Sequence, residues 1–331
     1  MKAPKQISKL LELRDRYIET QMNYLNGSII KYQQALLTRL TQDIISQLDI
    51  EKGFIKETKH NYRLLTALEN VYRSFTKDNK YKLGDSIVRA VNKIASNSKD
   101  YFLSVLKDDV TEEIINSAST AAKEYLNLSL GLTDKGTTKD GFIDKLLTND
   151  EGLLETKKYI AQAITARMPM KDFTQKLNEI IIGSDQKAGS QERLFNRYAR
   201  DLYSQYDAAY NKALAEKIGL KYFIYSGGLV KDSRDFCVAH NAKVYSTEEA
   251  KEWATWTVDK GLQNGEFPAG YQPKAKETTW GAVPGYMDYP EYSPLIDRGG
   301  YNCRHMLGYI SNRLAERMRP KKDLSETKNN V

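Results

Sequence analysis

Cysteine and histidine are scarce here: two of the first and three of the second in 331 residues. Two thiols without a secretory signal cannot form a disulfide scaffold, and in a reducing compartment they read as free thiols or metal ligands. The opening stretch, MKAPKQISKLLELRDRY, has no uninterrupted apolar core, so it is not expected to be a signal peptide. No run approaches the ~18 consecutive apolar residues of a membrane-spanning helix. Proline is absent between Lys5 and Met168, which leaves long helices unbroken there. A glycine-rich phosphate loop, an H-E-x-x-H or H-x-E motif and a serine or cysteine nucleophile motif are all missing, so no enzyme is expected.

What is present suits a globular protein with a true core: 40% hydrophobic and 28% charged residues. The length leaves room for two domains of ~100–200 residues. The formal net charge of +7 favours an acidic partner, either nucleic acid or an acidic protein surface.

Apolar residues recur at helical spacing through most of the chain. Ile18, Met22, Leu25, Ile29, Tyr32, Leu36 and Leu40 form one stripe within a helix or helical pair spanning 5–48, with Gly27 as a possible break. The stripe suits either docking on a partner or packing inside the chain's own bundle. Tyr62, Leu65, Leu68, Tyr72 and Phe75 repeat the pattern over 54–76, and 81–106 continues it. Asp109 and Glu112 have capping-box spacing for a further helix. A loop is expected at 133–141, short helices to about Ile182, and a joint at GSDQKAGSQ (183–191).

A long helix is expected over about 190–218, closed by Gly219. Strand signals follow at 221–228 and 303–310, with a helix over 247–259 between them. A loop holding five of the eight prolines runs from Pro268 to Pro294, and Ser311 caps a closing helix. The fold class is therefore α+β, predominantly α, with a long helical N-terminal region (1–186) before a small α+β domain (187–319). Residues 320–331 form a basic and polar tail expected to be disordered.

Each cysteine has a histidine beside it, which chance placement of three histidines would rarely produce. Cys237 and His240 fit ligands reached from one tight turn. Cys303 and His305 alternate as on a strand, where both point to one face. Together these four are a Cys2His2 set suited to tetrahedral zinc, and four protein ligands make a closed, structural site. The alternatives are buried free thiols or a disulfide. Asp232, Arg234 and Asp235 read as caps and salt bridges, and His60 as an ordinary helix residue.

The helix and strand YARDLYSQYDAAYNKALAEKIGLKYFIYSG, then DSRDFCVAHNAKVYS, then GGYNCRHMLGYI resemble the phage Mu protein F-like family of minor head proteins, also called head morphogenesis proteins. Asp232, Arg234, Cys237 and His240 match its first motif. Lys243, Val244 and Tyr245 match its following strand; Asn302, Cys303, Arg304 and His305 match its last motif. The likeness covers about residues 165–312, under half the chain. Two departures stand out: Gly300 and Tyr301 replace a common His-Pro, and Asn241-Ala242 stand where a glycine usually precedes the lysine.

The resemblance implies a few-copy structural protein inside the head of a tailed phage, near the portal, assembled in the host cytoplasm. It further implies roles in head assembly and DNA packaging or ejection, with portal, capsid or scaffold proteins as partners. Some members carry a toxin or enzyme domain after the last motif. The stretch from His305 to Val331 is too short for one, so the plain structural form is expected. A metal-dependent nuclease and a zinc-stabilised, non-specific DNA-binding protein are the alternatives. Double-stranded DNA would meet the basic segment 298–322, which includes Arg298 and Arg304, through Arg313, Arg317, Arg319, Lys321 and Lys322.

Overall fold

The computed structural model describes residues 5–106, 109–129, 131–133, 136–137, 144, 148–231, 233, 235–256, 293–299 and 303–319. Asp232, Arg234, Gly300, Tyr301, Asn302, Lys321, Lys322, most of the loop expected at 133–141, the proline-rich loop up to Pro290 and the tail lie outside them. The protein is α+β and mostly α. Its helices are α1 (Lys5–Asp43), α2 (Lys59–Leu106), α3 (Glu112–Ser129), α4 (Glu151–Thr165), α5 (Met170–Ile181) and α6 (Ser190–Lys217). Three two-residue hairpins are interspersed: β1 (Ile50–Glu51) with β2 (Phe54–Ile55), β3 (Leu132–Thr133) with β4 (Gly136–Thr137), and β5 (Gly183–Ser184) with β6 (Lys187–Ala188). The chain continues through β7 (Tyr222–Ser226), α7 (Asp235–His240), β8 (Lys243–Ser246), α8 (Thr247–Trp256), α9 (Pro294–Asp297), β9 (Met306–Ile310) and α10 (Asn312–Met318).

The described chain forms two compact units, neither continuous in sequence. One comprises 1–21, 89–130 and 200–331; the other comprises 22–88 and 131–199. The division expected at residue 186 falls inside the second unit instead. The reason is long-range packing: α1, α2 and α6 each give one part of their length to each unit, and sequence proximity does not reveal this.

In the unit of 22–88 and 131–199, Leu25, Ile29, Leu36 and Leu40 of α1 are buried with Leu64 and Leu68 of α2 and Phe173, Leu177 and Ile181 of α5. The stripe of residues 18–40 is thus mostly core, with Met22 half-buried. Gly27 leaves α1 unbroken. On α2 the inward face carries Asn61 and Leu64 rather than Tyr62 and Leu65. Segment 183–191 is no joint. It closes as the β5–β6 hairpin, and a Cβ on Gly189 would lie 2.2 Å from the Ile181 carbonyl oxygen. The buried Gln33 side chain accepts from the Glu192 N–H at 2.9 Å, binding α1 to the start of α6.

In the other unit an antiparallel sheet of order β8-β7-β9 is the floor of the site. Phe223, Ile224 and Tyr225 pair with Tyr245, Val244 and Lys243 on one side and with Tyr309, Gly308 and Leu307 on the other. All five residues of β9 are buried. Gly308 allows the helices to approach: a Cβ there would sit 2.6 Å from a Leu11 methyl and 2.9 Å from the Tyr101 hydroxyl. Arg14 of α1 donates to Asp207 of α6 at 2.7 Å, with both side chains 3% exposed. Ser98 of α2 donates to the other Asp207 oxygen at 2.5 Å. α3 begins past the expected cap, after Thr111, and Asp109 instead meets Arg313 at 3.2 Å.

Because Leu11 and Arg14 belong to the same unit as the sheet, removing residues 1–21 is expected to leave it insoluble or unfolded. Leu11→Ala is expected to lower stability by about 2–5 kcal/mol. Urea denaturation followed by circular dichroism checks both; an unchanged midpoint for Leu11→Ala would show that α1 is dispensable to the sheet.

Candidate metal centre

β7 brings Tyr225 to the site, the first turn of α7 brings Cys237, and the extended lead-in to β9 brings Cys303 and His305. Between α7 and β8 the chain reverses tightly. The Asn241 N–H donates to the Cys237 carbonyl at 3.0 Å, and the Ala242 N–H to the Tyr225 carbonyl at 2.7 Å. Ala242 has φ of +61°, the left-handed region where an L-residue costs roughly 1–2 kcal/mol. Glycine would adopt that conformation without this cost.

Cys237, Cys303 and His305 are buried, and each offers a ligand atom within 4.8 Å of the other two. This group could hold a metal ion. Neither cysteine forms a disulfide. Cys303 Sγ lies 3.9 Å from His305 Nδ1, and His305 Nε2 is buried without a hydrogen-bond partner among the described residues. A buried polar atom of that kind needs an explanation, and an ion is one. The Cys303 thiol is held well below its ordinary pKa, first by a hydrogen bond from Cys237 and then by His305 and Arg298, which together outweigh burial. A low pKa favours the thiolate, the form that binds metals.

His240, the fourth expected ligand, is not in the group. Its Nδ1 lies 2.7 Å from the Phe236 carbonyl oxygen of its own helix, and its ring stacks on Phe236 with centroids 4.0 Å apart. Trp253 and Tyr245 pack around it, at 4.9 and 5.3 Å. Burial, aided by Lys243, lowers its pKa. The expected tight turn is a helix, so residues 237 and 240 need not converge on one point.

The sequence alone gives no role to two residues around the group, Tyr225 and Gly299, and places a third, Arg298, in the basic DNA-facing segment instead. Tyr225 places its hydroxyl 3.4 Å from Cys237 Sγ and 3.5 Å from Cys303 Sγ. Burial and the two sulfurs push its pKa far up, so it remains a neutral phenol. Gly299 lies over the sulfurs, and a Cβ there would be 2.7 Å from Cys237 Sγ. Arg298 is 2% exposed and reaches inward: Nη1 donates to the His305 carbonyl at 2.7 Å, Nη2 to Ser204 at 2.8 Å and Nε to Ile296 at 3.1 Å. Its φ of +53° is a strained conformation, which those bonds hold in place. The only available signals were the adjacent glycines 299–300 and the aromatic strand YFIYS.

The expected DNA-contacting residues are divided. Arg313 and Arg317 of α10 are exposed, as is Arg304, although Arg313 pairs with Asp109. Arg319 folds inward to Glu249 at 2.5 Å and lies over the Tyr222 ring, while Arg298 is buried in the site. His60 is an ordinary helix residue, with Nε2 2.9 Å from the Gln47 carbonyl oxygen.

No family model matches the chain, and no match emerges among curated proteins or solved structures.

The three-membered group fixes an expectation about metal content. Purified Cys237→Ser, Cys303→Ser and His305→Ala should each lose bound metal, and His240→Ala should keep it, measured by elemental analysis of protein passed over a chelating resin. Equal loss in His240→Ala would restore the four-ligand site.

Proposed function

We propose that this chain is a structural minor head protein of a tailed phage, with zinc binding the start of β9 to α7. One observation carries the reading. The two motif segments that resemble the minor head family lie more than sixty residues apart in sequence, and their cysteines meet in one buried group. Two thiolates and an imidazole suit zinc, and oxygen-seeking calcium or magnesium would not choose them. Cys237, Cys303 and His305 are only 3–5% exposed, and among the described residues no carboxylate joins the metal-binding group. Three protein ligands leave a fourth position open, but burial of the group and the missing carboxylate favour a structural ion over a nuclease centre, which needs a base and access for substrate.

On this reading the protein works inside the head near the portal, after assembly in the host cytoplasm. Its partners are the portal protein and capsid or scaffold proteins. Double-stranded DNA is a further partner through Arg313 and Arg317, with Lys321 and Lys322 on the adjoining segment.

Three measurements test the proposal. Co-expressed with its phage's capsid and portal proteins, the wild type should appear in purified proheads with about one zinc per chain, and Cys237→Ser/Cys303→Ser should be excluded. Absence of the wild type from proheads would refute the head-protein reading, and a melting curve unchanged by chelation would refute the zinc clamp. DNA binding by Arg313→Gln/Arg317→Gln should show a log–log salt slope reduced by roughly 0.9 per lost phosphate contact. An unchanged slope would remove α10 from the DNA-facing surface.

A further inference from the structure

We infer that the Tyr225 hydroxyl is the hydrogen-bond donor shared by both sulfurs of the metal site, and that it governs how firmly those sulfurs retain an ion. The inference rests on the metal-clamp reading above. Oη is nearly equidistant from Cys237 Sγ and Cys303 Sγ, at 3.4 and 3.5 Å, so one proton is divided between two acceptors. The hydroxyl is fully buried, and among the described residues it makes no other hydrogen bond.

The ring cannot swing away. It stacks on His305 with centroids 4.9 Å apart and 16° between planes, and it meets Phe236 and Trp253 edge-on at 5.7 and 5.9 Å. Its backbone is clamped in the centre of the sheet, opposite Lys243 and Leu307. Gly299 defines where these groups converge. A Cβ at that position would lie 2.7 and 3.1 Å from the two sulfurs and 3.2 Å from Oη. Three polar atoms therefore face one small space that the missing side chain keeps clear.

The chemistry follows from burial. A metal needs both sulfurs as thiolates, and buried negative charge is costly without donors. A neutral phenol stabilises those thiolates without adding charge of its own. Outer partners of this kind typically change metal affinity by 10–100-fold. Tyr225 is thus a positioning residue for the ligands rather than a ligand.

The test uses the full chain loaded with cobalt(II), whose sulfur-to-metal charge-transfer band reports the energy of the sulfur lone pairs. Tyr225→Phe keeps the ring and removes the donor. It should shift the band to lower energy and weaken cobalt and zinc binding roughly 10–100-fold. Should Tyr225→Phe fail to fold, 3-fluorotyrosine placed at position 225 alone, a stronger donor of nearly the same shape, should shift the band to higher energy. An unmoved band in both proteins, with affinity unchanged, overturns the inference and leaves the metal clamp standing. Loss of a directly bound oxygen in Tyr225→Phe, seen by X-ray absorption, overturns it by making the phenol a ligand. Failure of the wild type to bind cobalt or zinc overturns both readings.

Discussion

A buried ion pair between Arg14 and Asp207 holds the sheet-bearing unit together. Two charges out of water cost several kcal/mol each, and such a pair is sustained only with further partners. Asp207 has one: the Ser98 hydroxyl donates to its second carboxylate oxygen, while Asn211 donates to the Asp207 main-chain carbonyl at 2.5 Å. Arg14 is served less fully. Its Nε and Nη1 lack hydrogen bonds among the described residues, and the guanidinium carbon lies 4.8 Å from the centre of the Tyr101 ring, over its face. Tyr101 in turn donates to the Tyr309 carbonyl of β9 at 3.1 Å. One chain of contacts thus runs from α1 through α2 to the strand that follows the metal-binding residues.

A second buried guanidinium performs a similar task nearer the metal-binding group. Arg298 fixes the His305 carbonyl and the Ser204 hydroxyl at once, and its own backbone is strained. Arginine is suited to this because its planar fork meets several acceptors in a fixed geometry, which lysine's point charge does not. Neighbouring Asp297 accepts from Gln205 at 3.1 Å and from the Ser293 N–H at 2.7 Å, so α9 is joined to α6 by side chains on both sides of the turn.

Much of the helical architecture is legible in the sequence, because burying one face of a helix leaves an apolar repeat of period 3.6. The positions of Leu25, Ile29, Leu36 and Leu40 carry that record, and Gly219, with φ of +75°, marks the end of α6 as expected. The partition into units is not legible, since it depends on pairs such as Leu11 with Gly308. At the site, the alternation of Cys303 and His305 reveals a shared face. The spacing of Cys237 and His240 is ambiguous, since a turn brings such residues together and a short helix lets a stacked aromatic ring claim one of them. Arg298 and Arg319 illustrate the other failure. A run of basic residues looks like a solvated surface until carbonyls, hydroxyls and a glutamate draw individual members inward.

The separation of Arg14 from Asp207, 193 residues, has a consequence for synthesis of the protein. A ribosome adds ~5–20 residues per second, so the first turns of α1 emerge roughly 10–40 s before their ionic partner exists. Leu11 waits longer still, for Gly308. Throughout that interval an apolar and cationic segment has no native place to go, while the segments of the other unit, complete by residue 199, can already close. Nascent chains therefore expose the Leu11–Arg14 segment without its native partners until the residues of α6 and β9 have been made.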